Sequence, residues 1–167
     1  MLALKINDVK EFMNQLLIGE TFDHFQLVEV SITTFNTFSI DGTLKREFFD
    51  TDTCDILDQS SITYSFWKEV KPYCYSVIRG KRTPLHFKII FQLSKDQTLS
   101  VVQNMNSSMA PELIKGFFLN LQYKNKELLC TTGLSLQTFY PDKTPEYWWD
   151  SAVLNFFRHR KIAFEKL

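Results

Sequence analysis

A short turn in the middle of the chain brings three cations beside a glycine. Arg79, Lys81 and Arg82 surround Gly80, and such side chains hold phosphate and carboxylate groups through charge-assisted hydrogen bonds. The turn directly follows a predicted helix, however, and the negative end of a helix dipole favours cations and repels anions. An ordinary helix end is therefore the better interpretation, and a bound anion is the alternative.

A second basic cluster, with Arg158 and Arg160, lies near the end of the chain and continues to Lys161. It too coincides with a predicted helix C-terminus, where cations are favoured. If the two clusters met in space, they would form one basic patch able to bind nucleic acid or a phosphate-bearing ligand. The sequence does not place them, so this binding is an alternative and not the favoured function.

Two adjacent tryptophans, Trp148 and Trp149, could form an aromatic platform for a base, a sugar or a peptide. Their helical spacing with Ala152 and Phe156 favours packing against a sheet instead. Because neighbouring positions on a helix point about 100° apart, we expect one tryptophan to be buried and the other half-exposed.

The acidic stretch from Asp50 to Gln59 contains the one spacing that resembles a metal site. Asp50 and Asp52 match the first two ligand positions of a calcium loop, but Asp55 replaces the required glycine and Ser61 the required glutamate. A solvated surface loop explains the stretch better, so no metal is predicted.

No pattern of catalytic residues or cofactor contacts is found. His24, His86 and His159 are scattered and fit neither a zinc site nor a catalytic triad. His86 lies on the polar side of a predicted strand, and a small hydrolase built around it is a third alternative. No glycine-rich phosphate loop or dinucleotide motif occurs, so no cofactor is predicted.

The cysteines and the N-terminus indicate a reducing compartment. Cys54, Cys74 and Cys130 are an odd number without paired spacing, and the latter two lie on apolar faces, as core residues do. The opening MLALKINDVKEF lacks the apolar core of a signal peptide, and no apolar stretch reaches the roughly 18 residues of a membrane span. A cytoplasmic location without membrane contact is expected.

Composition predicts one globular domain over residues 1–167. Of the residues, 44% are hydrophobic, 23% are charged and 16 are phenylalanine, which predicts an aromatic-rich core. The 19 basic and 19 acidic side chains cancel, so no global field attracts nucleic acid or an anionic membrane.

The scaffold is predicted to be an antiparallel meander from Leu85 to Phe139. Four stretches alternate apolar and polar residues, as strands with one buried face do: Leu85–Leu93, Leu99–Met105, Phe117–Tyr123 and Leu128–Leu136. The polar breaks at 94–97 and 124–127 are too short for a crossover helix and predict hairpins. A loop from Asn106 to Pro111 interrupts the meander.

Three helices are predicted: Val9–Leu17, Phe66–Arg79 with Pro72 causing a kink or a later start, and a final helix from Thr144 to Lys161. Further strands are predicted at Met1–Ile6 on a sheet edge, at Gln26–Thr34 and at Ile62–Tyr64. A hairpin over Asn36–Phe49 is expected to set Ile40 against Leu44 across a three-residue loop. The predicted fold is therefore α+β: a curved antiparallel sheet or open barrel of seven or eight strands with three helices packed on it.

Three segments carry a resemblance over nearly the full length: LALKINDVKEFMNQLLIGETFDHFQLVEVSITTFNTFSIDG, KPYCYSVIRGKRTPLHFKIIF and YWWDSAVLNFFRHRKIAFEKL. In these the chain resembles a family of small uncharacterised bacterial proteins found in Clostridia-like Firmicutes. The resemblance implies a bacterial, cytoplasmic, single-domain protein. It implies no activity, ligand or catalytic residue.

The favoured function is that of a non-enzymatic binding or interaction module, with a protein partner or a small ligand. It rests on the missing catalytic and cofactor motifs and on an aromatic-rich fold with an exposed sheet face. Because edge strands can pair between subunits, a homodimer is one arrangement the pattern allows.

Overall fold

The computed structural model describes residues 1–105 and 109–167. The helices are α1 (Val9–Leu17), α2 (Thr51–Gln59), α3 (Trp67–Ile78), α4 (Lys95–Asn104) and α5 (Thr144–His159). The strands are β1 (Ala3–Ile6), β2 (Gln26–Thr33), β3 (Thr37–Asp41), β4 (His86–Gln92), β5 (Ile114–Lys124), β6 (Glu127–Leu136) and β7 (Phe164–Lys166). Among the described helices, none is long and apolar enough to cross a membrane.

The strands form one open antiparallel sheet in the order β3-β2-β4-β5-β6-β1-β7. This confirms the predicted α+β class and open sheet, although the described residues form five helices and not three. β1 was predicted to lie on the edge, but it pairs with β6 on one side and with β7 on the other. The strand that follows α5 takes the edge position, which a local pattern at the N-terminus cannot reveal.

One face of the sheet carries the aromatic core. Phe87, Ile89 and Phe91 of β4 are buried, whereas His86 and Lys88 on the opposite face are exposed. The Phe91 ring contacts three rings that approach from the helical side, those of Phe22, Phe25 and Trp67. Trp67 of α3 is fully buried and its indole N–H donates to the Leu16 carbonyl at the end of α1, at 2.7 Å. The aromatic-rich core is therefore confirmed, as is the burial of Cys74 and Cys130.

The predicted strand Leu99–Met105 is wrong, because these residues lie in and just after α4. Ser94 and Gln97 form a capping box: the Ser94 hydroxyl accepts from the Gln97 N–H at 3.2 Å, and the Gln97 side chain accepts from the Ser94 N–H at 3.0 Å. The residues interpreted as a hairpin turn are thus a helix start. β4 consequently pairs directly with β5.

The predicted acidic loop Asp50–Gln59 is also wrong, because Thr51–Gln59 form α2. Asp50 caps this helix by accepting from the Thr53 N–H at 2.7 Å. Hydrogen bonds from the Thr53 side chain and from its backbone N–H lower the pKa of the Asp50 carboxyl group. Asp58 forms a bidentate pair with Arg46, with N–O distances of 2.5 and 2.6 Å. Asp50 and Asp58 therefore serve capping and ion pairing.

The predicted hairpin over Asn36–Phe49 is replaced by a hairpin between β2 and β3, in which Ile40 lies opposite Val30. Gly42 follows β3 and packs against β2 so closely that an added Cβ would lie 1.7 Å from the Leu27 carbonyl oxygen. The glycine therefore marks close backbone contact and not the turn that Asp41-Gly42 suggested. Thr43 then forms an isolated bridge with Tyr64, in place of the predicted strand 62–64.

The remaining expectations are met in part. α3 runs from Trp67 through Pro72 without the later start that proline suggested. In the predicted loop 106–111, residues 106–108 lie outside the described residues, and Pro111–Leu113 form a single 3-10 turn.

Candidate functional site: a polar cavity beside helix α4

A cavity of about 670 Å³ opens between the first half of α4, the ends of β2 and β4, and the beginning of β5. This volume lies within the range of roughly 300–1,000 Å³ that small-molecule sites span. Its walls are rich in amide and hydroxyl groups, from Gln26, Gln92, Gln137, Ser61, Thr63 and Thr98. A few apolar side chains, among them Leu93 and Ile114, complete the lining.

Gln26 is the most unusual residue of this lining. It begins β2, is only 4% exposed, and its Cα lies opposite that of Gln92 on β4. Its side-chain Nε2 is buried and has no hydrogen-bond acceptor among the described residues. Because buried amide groups are nearly always paired, an unpaired one at a cavity wall indicates a place where an acceptor atom is missing.

Gln92, in contrast, is held in place by the protein. Its Nε2 donates to the Lys115 carbonyl at 3.2 Å. This contact requires Gly116, since a Cβ at that position would lie 2.4 Å from the Gln92 amide nitrogen. Gly116, which lies at a register irregularity of β5, thus leaves the room that the Gln92 side chain occupies.

Helix α4 supplies the wall opposite the sheet. Thr98 is buried, and its backbone N–H donates to the Ser94 carbonyl at 2.9 Å, in the first turn of the capped helix. Two cationic side chains and one anionic side chain also line the cavity: Lys95, Lys115 and Glu112. Lys95 also donates to the Ser61 hydroxyl at 3.4 Å. The cavity therefore offers donors, acceptors and mixed charge, which suits a small molecule rich in hydrogen-bonding groups.

The predicted aromatic platform lies on the other side of α4. Trp148 and Trp149 line an apolar groove of about 420 Å³ between α4 and α5, together with Phe156 and Val101. Trp149 is buried and its indole N–H donates to the Phe118 carbonyl at 2.8 Å, while Trp148 is half-buried. The expectation of one buried and one half-exposed tryptophan is confirmed, and their role as a binding platform stays a prediction.

His24, Asp96 and Ser100 also line this apolar groove, without the contacts of a catalytic triad. The Ser100 hydroxyl donates to the backbone carbonyl of Asp96 at 3.0 Å, and no hydrogen bond joins it to His24 among the described contacts. Partial burial, with the Arg160 guanidinium nearby, lowers the pKa of His24. The described contacts therefore give no support for a catalytic triad in this groove.

The two basic clusters contact different parts of the protein. Arg82 lines a groove formed by α1, α3 and β4, whereas Arg79 and Lys81 are exposed beside it. The Arg160 guanidinium lies 5.9 Å from the centre of the Phe156 ring, and Arg158 is exposed in the last turn of α5. Among the described contacts, none joins the two clusters.

His86 begins β4 and is exposed on the open face of the sheet. The shallow depression around it is lined by Ser31, Lys88, Gln122, Lys124 and ring residues, without a carboxylate among the described lining. Within the described residues, no group of three or more His, Cys, Asp or Glu side chains is arranged to hold a metal ion.

Sequence analysis did not identify the residues of the polar cavity. One signal was present: Gln26 has the same alternation phase as Val28, Val30 and Ile32 in the predicted strand, so it places an amide among apolar residues. Thr98 could not be found, because its helix was interpreted as a strand.

The chain belongs to a family of unknown function (DUF5721), whose model matches residues 15–165. Neither the curated proteins nor the solved structures contain a match.

Proposed function

We propose that this protein is a non-enzymatic binding module that holds a small polar molecule in the cavity beside α4. The observation that carries the proposal is the buried Gln26 amide nitrogen, which has no acceptor among residues 1–105 and 109–167 and lies at the wall of a cavity of about 670 Å³. An unpaired buried amide costs about 1–3 kcal/mol of stability. A carbonyl, carboxylate or hydroxyl oxygen of a ligand would accept a hydrogen bond from this amide and remove that cost. The removal of the cost would strengthen binding of the ligand.

The lining favours a neutral or zwitterionic ligand. Glu112 and the ammonium groups of Lys95 and Lys115 lie around one opening, so a molecule with separate positive and negative groups finds a partner for each. The three glutamine amides offer further donors and acceptors. A free amino acid, a short peptide or a similar amide-bearing metabolite has this chemistry.

Nucleic-acid or phosphate binding is the alternative, and no described contact joins the two basic clusters into the single patch that it requires. Binding that depends on Arg79, Lys81, Arg82, Arg158 and Arg160 together would fall steeply with salt concentration. Salt-insensitive or absent binding of short RNA and DNA removes this alternative.

NMR of the side-chain amide groups tests the proposed site directly. Titration with amino acids and dipeptides is expected to shift the Gln26 NH₂ resonances, because the ligand oxygen becomes their acceptor. Gln103, which is exposed on α4, provides the matched control and is expected to stay unchanged. A compound that binds and leaves the Gln26 resonances in place would contradict the proposed site.

The cellular setting and the assembly state are further proposals. The resemblance described above supports a bacterial origin, and three free cysteines, two of them buried, suit the reducing cytoplasm. The exposed edge of β3, next to the 86% exposed Phe35, offers a surface for pairing with a second copy.

A further inference from the structure

A second, separate groove of about 360 Å³ lies between α1, α3 and β4. Its walls are mostly apolar, with Met13 and Leu17 from α1, Ile78 from α3, and Phe87 and Tyr123 from the sheet. The Phe87 and Tyr123 rings are stacked, with centres 5.2 Å apart and planes at 12°. Both rings are buried, so the sheet forms the aromatic floor of this groove.

The charges around the groove have a single sign. Lys10 of α1 and Arg82 of the basic turn line it, and none of its described lining residues is Asp or Glu. The ion pairs of the described residues involve other cations, including Lys71 with Asp23 and Arg46 with Asp58. Two cations without a carboxylate partner thus lie next to an apolar surface.

The start of α1 also borders this groove. Val9 and Lys10 are the first two residues of α1 and line the groove. The cap residue Asp8 accepts from the Glu11 N–H at 3.0 Å, so its carboxylate offsets the positive end of this helix dipole. The attraction for an anion therefore comes from the side chains of Lys10 and Arg82.

We propose that this groove binds a small amphipathic anion: a carboxylate or phosphate carried on a short acyl chain or a single aromatic ring. The charged head would pair with Arg82 and Lys10, and the apolar body would cover Met13, Ile78 and the ring surface of β4 and β5. Ile18 and Tyr75, which are 65% and 39% exposed at the groove, would lose solvent contact on binding. The volume of the groove suits one small molecule and not a macromolecule.

Calorimetry with octanoate and its neutral counterpart octanamide tests the pairing of charge with apolar surface. Octanoate is expected to bind about tenfold or more tightly than octanamide, the usual worth of a charge-assisted hydrogen bond. Arg82→Gln and Lys10→Gln are each expected to weaken octanoate binding by a similar factor. Lys81→Gln is the matched control, since Lys81 lies in the same turn but does not line the groove.

Three outcomes would overturn the proposal: equal affinity for octanoate and octanamide, equal effects of Arg82→Gln and Lys81→Gln, or inorganic phosphate binding as tightly as octanoate. Gln26→Leu is expected to leave octanoate binding unchanged, because Gln26 lines the separate polar cavity. If Gln26→Leu lost octanoate binding, this would also contradict the placement of the octanoate site in the groove between α1, α3 and β4. All four substitutions are verified by far-UV circular dichroism before titration.

Discussion

Gln26 and Gln92 lie opposite each other on neighbouring strands, but they differ in burial and in hydrogen bonding. Gln92 donates to a backbone carbonyl, whereas the Gln26 amide nitrogen has no described acceptor. Residues that reduce stability in the free protein often serve binding, because natural proteins break local packing rules mainly at functional sites. The unpaired Gln26 amide is therefore expected to lower the stability of the ligand-free protein.

Gln26→Leu is expected to raise the free energy of unfolding of the ligand-free protein by about 1 kcal/mol, since it removes an unpaired buried amide. Gln92→Leu is expected to lower it by about 1 kcal/mol, since it removes a formed hydrogen bond. Urea denaturation measures the free energy of unfolding of both variants and of the native protein. A marked loss of stability in Gln26→Leu would mean that the Gln26 amide is already paired in the free protein.

His24 lies in an environment that disfavours its charged form. Its ring packs 4.6 Å from that of Phe25 and keeps an exposed edge, and this burial together with Arg160 holds its pKa below the ordinary value of 6.5. Because the unfolded chain then takes up a proton more readily than the folded one, His24 lowers the free energy of unfolding as pH falls below about 6.5.

NMR titration is expected to show a depressed pKa for His24 that rises in Arg160→Gln, where a nearby positive charge is removed. Arg158→Gln is the control, because Arg158 does not contribute to this shift. A His24 pKa at or above 6.5 in the native protein, or the same rise in both variants, would show that the described environment is wrong.

Among the helices, α4 lines both the polar cavity and the apolar groove that contains the two tryptophans. Like α2, it is a helix that sequence analysis did not predict. The alternation of Leu99, Val101 and Gln103 fits a strand over a few residues, and only the Ser94–Gln97 capping box distinguishes the helix. α1, with nine residues, is no longer than the ten-residue α4, but its apolar side chains keep helical spacing from Val9 to Leu17. α5 extends over 16 residues and begins with proline in its first turn. Where a short stretch fits both a strand and a helix, the capping residues at its start indicate which of the two forms.

Ser94→Ala is therefore expected to destabilise the protein by about 1 kcal/mol and to speed amide exchange across Lys95–Asn104. Ser100→Ala is the control within the same helix, since the exposed Ser100 hydroxyl only donates to its own helix backbone. Hydrogen exchange with mass spectrometry compares the two variants. Equal protection of α4 in Ser94→Ala and the native protein would show that the cap does not hold this helix.

For the whole molecule, the sheet class was predictable because alternation is a local property, and β4, β5 and β6 follow it closely. The order of the strands was not predictable, because β1 and β7 come from opposite ends of the chain and pair with each other. The polar cavity was equally hidden: Gln26, Thr98 and Lys115 come from distant segments and a missed helix. The tryptophans and cations that sequence analysis selected line other surfaces.

If the polar cavity holds a small molecule through Gln26, the loss of this amide removes the molecule. Native mass spectrometry compares the wild-type protein with Gln26→Leu, each incubated with the same panel of amino acids and dipeptides. We expect the wild type to retain a compound whose mass disappears on denaturation, and Gln26→Leu to show the bare chain. Equal retention by both proteins, or no retained compound in the wild type, would contradict binding through Gln26.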